Sequence, residues 1–291
     1  VLLGDILSNS YQQVQLDQGN FTPDTVSVSD LFVGAIIPGL LLVVAYIALL
    51  SAWSWRHRPT QIPAPGDRTS YGLQKALRTA VPPVLLIVAV LGSILAGVAT
   101  PTEAAGIGAL GATLLATLRK QLSPSRLLAI GVETTQVTAM VFMILVGATV
   151  FSLVFRGFGG DELIGELFSQ LPGDTISAIA VVMLLLFLLG FILDFIEITF
   201  VVIPVVAPIL FAMGVDPVWL GIMIAVNLQT SFLTPPFGFA LFYLRGVAPA
   251  TIRTSEIYQG ALPFIVIQML LLTILVLWPG LATWLPDQLN G

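Results

Sequence analysis

The chain has 291 residues, of which 57% are hydrophobic and only 9% are charged, and its mean hydropathy is +0.99. Soluble globular domains are far more polar, so this composition predicts a polytopic membrane protein. The formal charge of −5 argues against nucleic-acid binding, and the lack of cysteine excludes disulfides and thiolate metal sites. The sequence begins with valine and shows no signal-peptide pattern, so we expect a piece of a longer protein.

Uncharged runs predict the membrane-spanning segments, because the hydrocarbon core excludes charge. In chain order they are 31–53, 81–99, 104–118, 134–155, a long segment at 175–215, an interrupted run at 217–244, and 262–285. Basic residues gather in 56–78 and 119–126, and acidic residues gather in 161–174. The positive-inside rule therefore predicts that the first two loops are cytoplasmic and that the third is outside.

The run at 217–244 is interrupted at its middle by the sequence LQTSFLTPPFGF, residues 228–239. Proline has no N–H to donate, and lipid tolerates non-helical backbone only where protein or a cavity surrounds it. Each flanking arm has about 14 residues, fewer than the ~20 that a spanning helix needs. The pattern predicts a re-entrant hairpin at 217–246 with its tip near the bilayer centre, where secondary transporters build ion and substrate sites.

The segment at 175–215 is too long for one straight helix, and it contains Asp194 and Glu197. A carboxylate at the bilayer centre costs ~3 kcal/mol, so Asp194 is predicted to point into the bundle and to meet a cation or a donor. The alternative is that the helix ends at Leu193 and both acids touch interfacial water. For Glu197 the two interpretations are equally supported.

A short repeat relates the two ends of the chain. Residues 29–38, SDLFVGAIIP, match residues 255–263, SEIYQGALP, with one residue of slack before the proline. Each copy places an acid-led amphipathic turn in front of a spanning helix. Because the second copy follows the predicted hairpin, residues 1 to about 10 are predicted to be the returning arm of an earlier hairpin. The alternative is a chance similarity between two interfacial helix starts.

Three further motifs make the pattern specific: ATPTEAAGIG at 99–108, GVDPVWLGI at 214–222 and LTPPFG at 233–238. With these motifs in this order, the chain resembles the C-terminal part of the large membrane (permease) subunit of tripartite ATP-independent periplasmic (TRAP) transporters. The long polar stretch at 11–29 resembles the subgroup for mannitol or chloroaromatic compounds. Taken alone, residues 100–103 (TPTE) also predict a capping box that opens a helix.

The resemblance implies an all-α polytopic membrane protein with an inverted-repeat elevator fold of the ion-transporter superfamily. Residues 1–58 would end the first repeat, 59–80 would be a cytoplasmic linker, and 81–291 would form the second repeat. Inversion requires the spans 31–53 and 262–285 to run in opposite directions. The missing start of the first repeat leads us to expect that the 291-residue chain alone does not transport.

The resemblance also implies a function: sodium-coupled, binding-protein-dependent import of small organic acids, such as C4-dicarboxylates or 2-oxo acids. Such a subunit is not an enzyme and needs no cofactor besides Na⁺ as the coupling ion. Its expected partners are a small four-helix membrane subunit and a periplasmic substrate-binding protein. Its expected location is the bacterial cell inner membrane, which it would cross several times.

The candidate site residues lie at the diproline and at Asp194. Carbonyls before the prolines lose helical donors, and such hard oxygen ligands suit a dehydrated sodium ion. The sodium candidates are Ser231, Phe232, Leu233, Thr234 and Pro235, with Asn227, Thr230 and Glu197 as further possibilities. Because helix N-termini favour anions, the substrate candidates are Asp194 and the amides of Phe237 and Gly238. The alternative is a structural proline kink stabilised by neighbouring helices.

Two other functional classes share features with this sequence. A single-component anion or ion carrier of the same superfamily would share hairpins and helix breaks, and the set of motifs argues against it. An intramembrane enzyme is disfavoured because the single histidine, His57, lies among arginines in a predicted loop. An ATP-driven pump is excluded for this chain, since no Gly-rich loop with Gly-Lys-Ser/Thr occurs.

Overall fold

A computed structural model describes residues 1–23, 25–56, 73–170, 174–235, 238–249 and 251–290. Every regular element in these ranges is helical, which confirms the prediction of an all-α polytopic membrane protein. Within them, four helices are long and apolar enough to cross a membrane: Val28–Arg56, Pro124–Gly157, Phe195–Ala212 and Thr254–Leu277. Shorter apolar helices occupy Thr79–Leu95, Thr175–Leu189 and Pro217–Leu233.

The described residues form a succession of helices. In chain order they are α1 (Leu2–Asp17), α2 (Val28–Gly34), α3 (Ile36–Arg56), α4 (Leu73–Leu95), α5 (Pro101–Leu118), α6 (Pro124–Gly157), α7 (Gly160–Ser169), α8 (Asp174–Leu189), α9 (Phe195–Glu197), a π-helical turn (Ile198–Val202), α10 (Ile203–Ala212), α11 (Pro217–Leu233), α12 (Phe239–Val247), α13 (Thr254–Leu277) and α14 (Gly280–Asn290). The last predicted span therefore begins earlier than expected and ends before Pro279.

The chain divides into two compact units, Val1–Tyr46 with Thr138–Gly291, and Ile47–Val137. In the second unit α4 packs on α5. Gly108 lies against Val90 and Gly111, farther along α5, lies against the earlier Leu86 of α4, which shows that the two helices are antiparallel. The absence of Cβ atoms on these glycines lets the helices approach closely. Neither unit tests the predicted repeat boundaries, which stay a prediction.

The predicted capping box opens α5. The Thr100 hydroxyl accepts the Glu103 N–H at 3.3 Å, and the Glu103 carboxylate accepts the Thr100 N–H at 2.8 Å. Pro101 takes the first helical position, where no N–H is needed. The motif at 99–108 thus has a complete local explanation as a helix start.

In the first unit, α8 runs parallel to α11. The Asn227 side-chain amide donates to the Met183 carbonyl oxygen at 2.8 Å, and farther along both helices Gly190 packs against Ser231. Both helices therefore start at one level of the unit and end at a common level near Gly190.

The helices that follow Gly190 run back toward the start of α8. Along this return the chain packs on α1, which lies against both α10 and α11. Its Ile6 borders the same cavity as Phe200, and its Tyr11 ring lies edge-on to Phe211 with centroids 5.3 Å apart, so α1 is parallel to α10.

α10 runs antiparallel to α8. Residues 213–216 join the end of α10 to the start of α11, and Val215 and Asp216 border the same groove as Thr175 at the start of α8. Since the chain leaves α8 at Gly190, beside the opposite end of α11, α10 is antiparallel to both α11 and α8. Residues 174–213 therefore form a helical hairpin, and we call residues 190–194 its tip.

α11 and α12 form one broken helix. The Trp219 indole N–H donates to the Leu275 carbonyl oxygen at 2.8 Å, so α11 starts beside the end of α13. Leu241 of α12 packs with Ile257 and Ala261 near the start of α13. α12 thus continues in the direction of α11 instead of turning back.

The predicted re-entrant hairpin at 217–246 is therefore wrong, and residues 174–213 take that role. The physical reason is that a helix break leaves the direction of the second arm open, and packing on α1 and α13 decides it. In the short repeat, α1 precedes the copy at 29–38 just as α12 precedes the copy at 255–263. α1 therefore corresponds to the second half of a broken helix, and the prediction that residues 1 to about 10 are a returning hairpin arm is not supported.

The helices that follow the two repeat copies run in opposite directions. Gly34 lies against Val218 and Ala282, near the start of α11, whereas the Tyr46 ring packs edge-on to Phe264, with centroids 5.0 Å apart. α3 therefore runs antiparallel to α13, as the predicted inverted repeat requires.

Candidate functional site

The hairpin tip meets the end of α11 at Gly190. A Cβ on Gly190 would overlap the Ser231 hydroxyl and lie 2.9 Å from the Ser231 Cβ, so only glycine permits this approach. The structure thus joins the segment that carries Asp194 to the segment that carries Ser231. Sequence reasoning did not select Gly190, although a glycine directly after a helical run is a helix-end signal.

The backbone leaves the helical path at Thr234, whose φ and ψ are −91° and 125°. The Thr234 N–H donates to the Ser231 carbonyl at 3.0 Å, and the Gly238 N–H donates to the Thr234 carbonyl at 3.1 Å. The helical donor position for the Ser231 carbonyl is Pro235, which has no N–H, so this carbonyl takes the turn donor Thr234 instead, whereas the Thr234 carbonyl keeps a donor four residues later. Each still has a second lone pair, because a carbonyl oxygen accepts two hydrogen bonds.

Three hydroxyl groups line the last turns of α11. Thr230 donates to Val226 O at 2.7 Å, Ser231 to Leu228 O at 2.8 Å, and Thr234 to Thr230 O at 2.7 Å. Thr230 and Ser231 are fully buried, and Thr234 is half-buried. A hydroxyl that donates in this way keeps its oxygen lone pairs, which are what a cation ligand uses.

Asp194 and Glu197 open the returning arm of the hairpin. The Asp194 carboxylate accepts the Phe195 N–H at 2.7 Å, and the Glu197 carboxylate accepts the Asp194 N–H at 3.2 Å. Asp194 is exposed and Glu197 is half-buried. This capping arrangement explains the three-residue spacing of the acids. It also places the formal charge of Asp194 at the tip, on the same short segment as Gly190.

Gly238 is buried and precedes α12. A Cβ there would lie 2.6 Å from the Phe232 carbonyl oxygen, so the position requires glycine. Its N–H already donates to Thr234, so this amide is not free for a substrate carboxylate in the present arrangement. The other amide proposed for this role, that of Phe237, lies outside the described residues, as does Pro236.

Thr199 is a residue that the sequence reasoning missed. It lies in the π-helical turn just after the tip, is fully buried, and its hydroxyl has no partner in the described part of the chain. Several helical threonines of the chain, such as Thr113, Thr149 and Thr230, donate to a carbonyl four residues earlier. A π-turn widens the helix and often marks a functional position. No signal in the sequence announces it.

Taken together, a membrane-spanning helical bundle joins a hairpin tip to the break of a second helix. Secondary transporters build their ion and substrate sites from such discontinuous helices, so the fold defines a transporter-type membrane protein. Residues 23–281 match the family model described as "Tripartite ATP-independent periplasmic transporter, DctM component". The chain belongs to this family.

Curated relatives agree with this assignment. The chain is 28% identical over 266 residues to the sialic acid TRAP transporter large permease protein SiaM of Vibrio cholerae, covering 91% of this chain and 61% of the relative. It is 31% identical over 288 residues to the C4-dicarboxylate TRAP transporter large permease protein DctM of the same species, covering 91% and 62%.

A third relative is the isethionate TRAP transporter permease protein DctMQ of Oleidesulfovibrio alaskensis, at 31% identity over 256 residues, covering 88% of this chain and 40% of the relative. The chain therefore spans about three fifths of the length of the first two relatives and two fifths of this one. These proteins are transporter components and not enzymes, as the sequence predicted. The mannitol or chloroaromatic subgroup stays a prediction.

Proposed function

We propose that this chain is part of the large membrane subunit of a sodium-coupled importer of small organic anions. The observation that supports this best is the contact of Gly190 with Ser231, which brings a hairpin tip to a helix break. The end of α11 beside this contact carries hydroxyl and carbonyl oxygens, and such hard oxygen ligands suit a monovalent cation.

The proposed sodium ligands come from the end of α11 and the break. They are carbonyl or hydroxyl oxygens of Ser231, Phe232, Leu233, Thr234 and Pro235, with Thr230 behind them. Asn227 fixes α11 on the hairpin through Met183, so it has a positioning role. Asp194 adds negative charge at the tip, which would raise the affinity for a cation on the adjoining backbone.

The proposed substrate is an organic acid. The three relatives are named for sialic acid, C4-dicarboxylate and isethionate, which share an anionic group. The N-terminus of α12 lies at the break, and helix N-termini favour an anion. We therefore keep Phe237 and Gly238 as substrate candidates, with release of the Gly238–Thr234 bond as a requirement for Gly238. A direct contact of Asp194 with an anion would need a sodium ion between them.

The family assignment supports the remaining proposals. The partners would be a small four-helix membrane subunit and a periplasmic substrate-binding protein, and the location would be the bacterial inner membrane. The antiparallel α3 and α13 support an inverted repeat, on which elevator motion depends.

A transport assay on the longer subunit with both partners tests the sodium site. Replacing Pro235 and Pro236 with alanine restores two N–H donors, which would compete for the carbonyls that we assign to sodium. We expect a loss of sodium-dependent uptake of at least tenfold. A matched control exists in Pro82 and Pro83, a second diproline that lies inside the continuous helix α4.

Alanine at Pro82 and Pro83 should leave the sodium dependence unchanged. Equal sodium dependence in both variants and the wild type would refute the assignment. Full uptake without the binding protein would instead favour the alternative, a single-component carrier of the same superfamily.

A further inference from the structure

A groove of about 760 Å³ opens between α8, α11 and α13 in the first unit and runs from the starts of α8 and α11 to Phe187 and Asn227. Most of its lining is apolar and includes Ile176, Ala180, Phe187, Met223 and Val276. Ile176 is 71% exposed, so the groove is open along the α8 side. Its apolar length follows helices that lie in the membrane.

One end of the groove is polar and acidic. It lies at the start of α8 and α11, where Thr175 and Asp216 form part of the lining. The Asp216 carboxylate accepts the Trp219 N–H at 2.7 Å and so caps α11. Burial and the nearby carboxylate of Asp287 on α14 raise the pKa of Asp216. No basic side chain is among the described residues that line the groove.

We propose that this groove binds a membrane phospholipid with a primary-amine headgroup, with its ammonium beside Asp216 and one acyl chain along α8, α11 and α13. Charge complementarity selects this occupant. Two neighbouring carboxylates at the polar end repel an anionic headgroup and attract an ammonium donor. The starts of the apolar helices α8 and α11 mark the membrane interface. A lipid headgroup at the interface would therefore lie at the polar end of the groove, and its acyl chain would lie along the apolar part.

Lipid retention on the purified 291-residue chain tests the proposal. The chain in detergent is given phosphatidylethanolamine, phosphatidylcholine or phosphatidylglycerol with identical acyl chains, and bound lipid is counted by native mass spectrometry. We expect the amine lipid to be retained about fivefold better than the anionic one, the scale of a partly screened charge pair. The choline lipid, which has no N–H donor, should fall between them.

Two variants separate the headgroup from the chain. Asp216→Asn with Asp287→Asn should abolish the preference while total lipid is retained, since asparagine still caps α11. Ala180→Trp should fill the groove and reduce retention of all three lipids. The controls are Asp17→Asn, an exposed acid outside the groove, and Ala109→Trp on α5.

Equal retention of the three lipids would overturn the proposal and favour a protein segment as the occupant. Unchanged retention in Ala180→Trp would place any bound lipid elsewhere and would also overturn it. Neither result depends on sodium or uptake, so this test is independent of the transport assay.

Discussion

Gly190→Ala is the sharpest test of the junction between the hairpin tip and α11. The new Cβ would overlap the Ser231 hydroxyl and lie 2.9 Å from the Ser231 Cβ and 3.3 Å from the Leu186 carbonyl oxygen. Ser231 is fully buried, so relief of the overlap requires neighbouring atoms to shift. Overpacking of this kind costs about 1 to 3 kcal/mol. We expect the unfolding temperature in detergent to fall by roughly 2 to 12 °C.

Second-site changes show whether the cost arises at this contact. Ser231→Ala removes the hydroxyl but leaves two Cβ atoms 2.9 Å apart, so it should rescue only part of the loss. Ser231→Gly removes both the hydroxyl and the Cβ, so it should recover more of the lost stability. Glycine inside a helix itself costs about 1 kcal/mol, which reduces this recovery. Thermal unfolding measures the cost of Gly190→Ala in each background: each double variant is compared with the single variant that carries the same Ser231 substitution. The cost should be smaller with Ser231→Gly than with Ser231→Ala.

The same variants test the link to sodium. If the junction forms the sodium site, the extra thermal stability that NaCl gives over choline chloride should shrink in Gly190→Ala. Its return in the double variants would assign the ion to backbone carbonyls, and its continued loss would assign a ligand role to the Ser231 hydroxyl. The matched control is Gly260→Ala on α13, where a Cβ meets no atom within 4 Å. A Gly190→Ala protein as stable as the Gly260→Ala protein would refute the proposed close approach of the two segments.

Three further predictions concern single side chains. Asp194→Asn keeps the helix cap but removes the charge, so the longer subunit should assemble normally and need several-fold more sodium for half-maximal uptake; unaltered sodium dependence would limit Asp194 to capping. Because the pKa of Asp216 is raised, protonation favours the folded state, and ionised Asp216 costs stability at neutral pH. Asp216→Asn should therefore raise the unfolding temperature at pH 7, and this gain should vanish as the pH falls through the raised pKa, whereas Asp216→Ala should lose about 1 kcal/mol of capping. Trp219→Phe removes the bond to Leu275 O and should cost about 1 to 3 kcal/mol, measured by thermal unfolding, with Trp284→Phe on the exposed side of α14 as the control.

Local signals in the sequence determined much of this protein. The uncharged runs gave the apolar helices, residues 100–103 gave a capping box, and the diproline at 235–236 gave a helix break near Thr234. These features depend on residues close in the chain, through lost N–H groups and charges that lipid excludes. The order of motifs also indicated the family, which the match over residues 23–281 shows.

Only the tertiary structure decided what each break does. Both 175–215 and 217–246 consist of two arms joined by an interruption, and nothing local tells whether the second arm returns or continues. The return at Gly190 depends on the packing of α1 on α10, seen at Tyr11 and Phe211, and the continuation after Thr234 depends on α13, seen at Leu241 and Ile257. The contact of Gly190 with Ser231 joins residues far apart in the chain, and it forms because these long-range contacts fix the directions of α8 and α11.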